Sequence, residues 1–216
     1  MCVMSGLSET VRNRLSPLVS ERAFRKGEVL VREGRVSQHV SVIKLGTVAV
    51  YRQGQSSQPQ TVSMLGRGQL MGGYAVYGHA EPVGAVALSS GRICHVDVGD
   101  LYRLDILDRQ FHISMQQQIV RWHGYLADWA RVMHIKNIQE RVLAALQLFT
   151  SEQRVRVMRL PGQSELATLL STTRESVARS LQQLQSSGHI LRHDRWHCEV
   201  VTTTATARGK LTRQRG

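Results

Sequence analysis

Four residues in one short segment have side chains suited to reading the edges of base pairs. In "TTRESVARS", Arg174, Glu175, Ala178 and Arg179 follow one another at offsets of 0, 1, 4 and 5, which gathers them on one side of a helix over its first turns. An arginine donates two parallel hydrogen bonds to O6 and N7 of guanine, and a glutamate carboxylate accepts from N4 of cytosine. The same pattern also fits a solvated helix face, or the ion pairs of a domain with no partner. The surrounding elements have to decide between these readings.

Upstream, "QSELATLL" has the spacing of a short helix with Leu166, Leu169 and Leu170 inward and Ala167 small where a second helix must approach. "STT" is the turn. Thr172 is expected to cap the next helix with Glu175 three residues on, and Val177, Leu181 and Leu184 give that helix its buried face. This is a helix-turn-helix pattern, whose second helix offers its first turns to the major groove. "GHILRHDRWHCEVVTT" then supplies two short strands around residues 193–195, the wing of a winged helix. In that frame Gln163, Thr173, Ser176, His193 and Arg195 lie where the backbone phosphates would pass.

Composition favours a polyanionic partner. The chain has 216 residues with 28 Lys plus Arg against 16 Asp plus Glu, a formal charge of +12. Residues 138–216 hold 12 of the basic and 6 of the acidic groups, and "RGKLTRQRG" reads as a loosely ordered basic tail. No apolar run reaches the ~20 residues of a bilayer span and the start lacks signal-peptide character, so a cytoplasmic protein is expected. Cys2, Cys94 and Cys198 are odd in number and scattered, and write neither a disulfide framework nor a thiolate cluster.

Two further textures position these residues. From about residue 24 to 104, β-branched runs alternate with glycines, as in "VSVIKLGTVAVYRQG" and "GAVALSSGRICHVDV", which predicts an antiparallel β-roll with "QGQSSQPQ" as a hairpin tip. Residues 109–136 switch to a helical period. Met115, Ile119, Trp122, Leu126, Trp129 and Met133 are spaced 4, 3, 4, 3, 4, the alternation of a heptad seam. The spacing predicts a parallel homodimer through this seam, with Val120 and Ala127 flanking it and touching the helix's own β-roll. Packing on the β-roll alone is the competing reading of the stripe. Asn137 and Glu140 form an Asn-x-x-Glu start signal, so a new helix begins after a break. The resulting organisation is α+β: an N-terminal antiparallel β-roll (1–108), a dimerisation helix (109–136) and a C-terminal winged helix-turn-helix (137–216).

In that order of parts the chain resembles the cyclic-AMP receptor protein and fumarate-nitrate regulator family of transcription regulators. "TTRESVARSLQQLQSSGHI" is similar to the family's recognition-helix signature, and "LGTVAVYRQG" and "GRGQLMGG" to its β-roll strands and turns. Ser171 departs from the glycine that many such turns use for positive φ. The resemblance implies a homodimer on a palindromic promoter site in double-stranded DNA, with RNA polymerase as a further partner. It also implies that Arg174, Glu175 and Arg179 read a TGTGA-like half-site. Cyclic-AMP binders of the family follow the turn glycine, here Gly72, with a ribose-holding glutamate and later an Arg-Ser pair. Those positions are Gly73, Val83 and Gly84, and the adenine-holding polar pair falls on Leu126 and Ala127. A buried phosphate without a counter-charge costs several kcal/mol, which argues against cyclic AMP.

Other chemistries find little support. The cysteine cluster of the family's iron-sulfur sensors is missing. Cys94-His95 and His197-Cys198 are strand neighbours pointing to opposite faces, and His112, His123 and His134 recur every 11 residues, too far apart for one ion. No metal site or cofactor is expected, although a haem held by His79 is an alternative known among gas-sensing relatives. No nucleophile and base signature marks an enzyme. A basic RNA-binding protein would need an aromatic platform, and a membrane-surface protein a basic amphipathic helix.

Overall fold

The computed structural model describes residues 9–54, 59–153, 155–194 and 196–201. Cys2, the centre of the "QGQSSQPQ" segment, Arg195 and the basic tail lie outside them. Eight strands make the N-terminal part: β1 (Ser20–Phe24), β2 (Val29–Val31), β3 (His39–Leu45), β4 (Val48–Gln53), β5 (Pro59–Leu65), β6 (Leu70–Met71), β7 (Gly84–Ala87) and β8 (Gly91–Asp97). They form two four-stranded sheets, ordered β1-β8-β3-β6 and β2-β7-β4-β5. Every pairing described there is antiparallel, as the alternating runs predict. Register pairs β4 with β5 from Val48 opposite Leu65 to Gln53 opposite Pro59. Phe24, Ile43, Val48, Val50, Met64 and Ile93 fill the space between the sheets, each at most 2% exposed.

Six α-helices occur among the described residues: α1 (Glu9–Leu15), α2 (Val98–Arg103), α3 (Arg109–Met133), α4 (Ile138–Gln153), α5 (Gln163–Leu169) and α6 (Arg174–Ser186). A second core cluster forms where α1, α2 and the start of α3 meet, around Leu15, Leu101, Ile106, Phe111 and Met115. Asp108 caps α3 by accepting the Phe111 N–H at 2.7 Å, and Asn137 accepts the Glu140 N–H at 3.1 Å at the start of α4. The Asn-x-x-Glu signal therefore marks a real helix start. No helix among the described residues is long and apolar enough to cross a membrane.

Two of the six residues assigned to the dimer seam are closed off within one protomer. Met115 and Trp129 are each 1% exposed, buried within their own protomer. Trp122 and Met133 are half-buried against that core, and Leu126 is half-buried too. Tyr125 joins them and donates its hydroxyl to the Met64 carbonyl of β5. The residues expected to touch the β-roll point away from it: Val120 is 69% exposed and Ala127 is exposed. The reason is the hydrophobic effect. A long helix with apolar residues on two stripes buries the one with the large aromatic side chains, which gain most by leaving water. That leaves a second heptad row facing outward, Val120, Gly124, Ala127 and Arg131, with Ile119 beside it at 37% exposure.

The C-terminal part adds β9 (Val157–Arg159), β10 (Ile190–Arg192) and β11 (His197–Val200), paired in the order β10-β11-β9. It rests on the N-terminal part through specific contacts. Lys26 Nζ lies 2.7 Å from Glu165 Oε1 on α5, and Gln153 of α4 accepts the Arg67 N–H at 3.2 Å. Arg141 on α4 spans the joint, donating to the Ile135 carbonyl at 2.7 Å and to the Leu170 carbonyl at 2.9 Å. The end of α3 is thereby tied to the turn between α5 and α6.

Candidate nucleic-acid interface

The helix-turn-helix is assembled by the leucines that predicted it. Leu166, Leu170 and Val177 are fully buried, and Leu169, Leu181 and Leu184 nearly so. Ser171 takes φ 49°, the left-handed conformation that a glycine would adopt more cheaply. The cap of α6 is Thr173 rather than Thr172. Its Oγ1 accepts the Ser176 N–H at 3.2 Å and lies 3.0 Å from Ser176 Oγ. Thr172 is left in the turn, its N–H donated to the Ala167 carbonyl. The backbone chooses between the two threonines: Thr173 has the extended conformation of a cap residue, φ −92° and ψ 154°.

With α6 held at this angle, Arg174, Glu175 and Arg179 are exposed and Ala178 is half-buried between them and the helix interior. The structure therefore brings the four predicted base-reading residues onto one open surface. The predicted phosphate contacts divide. Thr173 is exposed, but its hydroxyl and that of the half-buried Ser176 serve the cap. Gln163 is half-buried at the start of α5, whose cap position is Gly162. His193 Nε2 faces Glu199 Oε2 at 3.4 Å, and the same carboxylate accepts from Arg156 Nε at 2.5 Å. Arg156 first, and then His193, hold the Glu199 carboxyl below its ordinary range.

The wing turn is fastened from inside. Asp194 accepts the N–H groups of Trp196 and His197 at 2.5 and 2.8 Å and meets His197 Nδ1 at 2.8 Å. These bonds, that of His197 first, hold its carboxyl at about 2. Trp196 is 43% exposed at the wing with the Arg159 guanidinium 5.9 Å from its ring centre. Sequence reasoning passed over this pair, because only the β9–β11 pairing brings Arg159 beside the wing.

Among the positions matched to a nucleotide pocket, Gly72 and Gly84 are closed over by the chain itself. Gly72 has φ 76°, and a Cβ there would lie 2.2 Å from the His39 carbonyl oxygen. Gly73 sits against Leu70 and Met115, Gly84 is buried and Val83 is half-buried. Leu126 is half-buried on α3, and Ala127 faces outward. His79 and His112 line an open cavity of about 470 Å³ with Tyr77, Tyr102 and Asp105. No group of three metal-ligating side chains occurs among the described residues.

One buried acid went unnoticed in the sequence. Glu81 is 4% exposed and its carboxyl is pushed up to about 7 by burial, against hydrogen bonds from the Ala75 and Tyr74 N–H groups and the Ser37 hydroxyl. A carboxyl raised above its ordinary 4.5 in the folded state stabilises the fold fully below that pH, and this contribution is lost as pH rises through about 7. The melting temperature is expected to fall on the order of a few °C between pH 5 and pH 8 for this reason. Glu81→Gln should flatten that decline in thermal melts, and an unchanged slope would contradict the assignment.

The cyclic nucleotide-binding domain family matches residues 21–105, and the Crp-like helix-turn-helix domain family matches residues 140–203. Among solved structures, FixK2 from Bradyrhizobium japonicum superposes with a TM-score of 0.71 at 21% identity, over 84% of this chain and 92% of that one. A transcriptional regulator of the CRP family from Thermus thermophilus gives 0.61 at 16% identity, over 83% and 91%. The c-di-GMP responsive global regulator CLP from Xanthomonas campestris gives 0.61 at 15% identity, over 90% and 100%. At these identities the likeness establishes the fold. No curated protein sequence matches the chain.

Proposed function

Because the chain belongs to the Crp/Fnr family of transcription regulators, we propose that it acts in the cytoplasm as a homodimer on a TGTGA-like inverted repeat in duplex DNA. RNA polymerase is the further partner this role implies. The reading is carried by one observation: Arg174, Glu175 and Arg179 stand exposed at the start of a helix whose opposite face is fully buried. Those side chains have the donor and acceptor pattern for guanine and cytosine edges in the major groove. Two protomers joined along α3 would present two such helices to half-sites about one helical turn apart. The row of Val120, Gly124 and Ala127 supports this joint, being apolar, small and exposed. Phosphate contacts fall to Gln163, Thr173, Ser176, His193 and Arg195. The first test is a gel shift with duplex DNA against RNA and anionic vesicles at two salt concentrations. Tighter binding to RNA or vesicles than to the inverted repeat would overturn the proposal.

Cyclic AMP is not the effector in this reading. Gly73, Val83 and Gly84 offer neither charge nor hydroxyl to a ribose or cyclic phosphate. Titration calorimetry should give no heat with cyclic AMP at micromolar concentrations, and DNA binding should need no added nucleotide. A stoichiometric micromolar titration would contradict this.

A further inference from the structure

We propose that Trp196 and Arg159 form a second DNA-contacting surface at the wing, one that meets the minor groove flanking each half-site and favours A·T base pairs there. The inference rests on the functional reading, since it takes as partner the same duplex that α6 reads.

Trp196 stands apart from the other two tryptophans. Trp129 is 1% exposed and Trp122 is half-buried against the same core, whereas Trp196 is 43% exposed in the turn between β10 and β11. Its backbone is nevertheless held on both sides. The N–H donates to Asp194 Oδ1 at 2.5 Å, and the carbonyl accepts the Leu160 N–H at 2.7 Å. The indole is therefore presented on a pinned turn. A large aromatic surface that is already ordered loses little entropy when a partner covers it.

Arg159 arrives from a different strand. β9 pairs with β11 so that Arg159 lies opposite His197, the neighbour of Trp196. Met158 and Leu160 on either side of it are buried, which turns Arg159 outward. Its guanidinium carbon lies 5.9 Å from the centre of the Trp196 ring. The acids of this sheet are taken up by other groups. Glu199 faces Arg156 and His193, and Asp194 accepts the N–H groups of Trp196 and His197 and meets the His197 ring. Among the described residues Arg159 has no ion pair, so its charge is available to a polyanion.

This combination fits a minor groove better than phosphates alone. Narrow A·T-rich minor grooves concentrate negative potential and draw in arginine, and apolar side chains wedge against base steps there. A phosphate contact needs only the charge, so the exposed indole is what argues for the groove. The wing and α6 are also closely joined, because α6 runs into β10 through the turn at Gly188. With α6 in the major groove, the wing reaches the groove beside it, as an appended arm does. Recognition then extends past the bases facing Arg174, Glu175 and Arg179, and reads the flanks through their shape.

The test compares three duplexes carrying the inverted repeat: one with A·T flanks, one with G·C flanks and one cut short at the outer ends of the half-sites. Full-length wild type should prefer A·T to G·C flanks by about tenfold. Trp196→Ala and Arg159→Ala should each reduce that preference to about twofold or less while binding the shortened duplex as wild type does. In acrylamide quenching, the A·T-flanked duplex should shield the emission that Trp196→Phe removes, and the shortened duplex should not. A wild type indifferent to its flanks would overturn the inference and leave the functional reading standing. Equal losses on all three duplexes in Trp196→Ala would overturn it too, assigning the ring to the fold of the wing. Unchanged DNA binding in both variants with weaker recruitment of RNA polymerase would overturn it in favour of a protein partner. A wild type that binds none of the three duplexes would overturn both readings together.

Discussion

Gly124→Glu is expected to convert the proposed dimer into a monomer and to weaken binding to a two-fold symmetric site by about 10³-fold. Within one protomer nothing lies within 4 Å of a Cβ at this position, so the substitution disturbs no intramolecular contact. Replacing a mid-helix glycine should even favour α3 by about 0.5 kcal/mol. Its whole cost falls on the outer row with Val120 and Ala127, where a parallel partner would bring two carboxylates together in an apolar seam. Each half-site alone is weakly held, so loss of the dimer removes most of the specific affinity. Sedimentation and fluorescence anisotropy check the result together. A variant that stays dimeric would move the interface off this face, and a monomeric wild type that binds tightly would end the dimer proposal.

Arg179→Ala is expected to cost about 1 to 3 kcal/mol at each half-site, hence about 2 to 6 kcal/mol on the inverted repeat. The side chain is exposed on α6, one turn beyond Glu175, while Val177 and Leu181 on the other side hold the helix in place. The variant should therefore fold normally. The loss should be confined to specific DNA, with affinity for unrelated duplex nearly intact, because the phosphate-facing groups remain. Preference should relax at one guanine for Arg179→Ala and at one cytosine for Glu175→Ala. Equal losses on specific and unrelated DNA would assign Arg179 to the phosphates instead.

The helix-turn-helix was legible because its signals are local. Leucines three and four apart, a hydroxyl-rich turn and a polar N-terminal face all lie within 25 residues, and even the left-handed Ser171 could be anticipated from the family resemblance. The cap was missed by one residue, since two adjacent threonines offer the same chemistry and only the backbone path chooses between them. The orientation of α3 was not legible for a related reason. Its sequence has two apolar stripes, and periodicity alone cannot say which one meets the β-roll. Residue size could have hinted at it, as Trp129 and Tyr125 lie on one stripe and Gly124 and Ala127 on the other. Glu81 gave no local signal, because its burial depends on backbone bonds to Gly34 and Arg35, far away in the sequence.

The central claim, that α6 reads a defined base sequence as part of a symmetric dimer, is tested most directly by selecting bound duplexes from a random pool with the wild-type protein and with Arg179→Ala. Wild type should enrich a TGTGA-like inverted repeat with half-sites about one helical turn apart, and Arg179→Ala should enrich the same repeat with one guanine in each half degenerate. Enrichment of no symmetric motif by wild type, or an identical motif from the variant, would contradict the account.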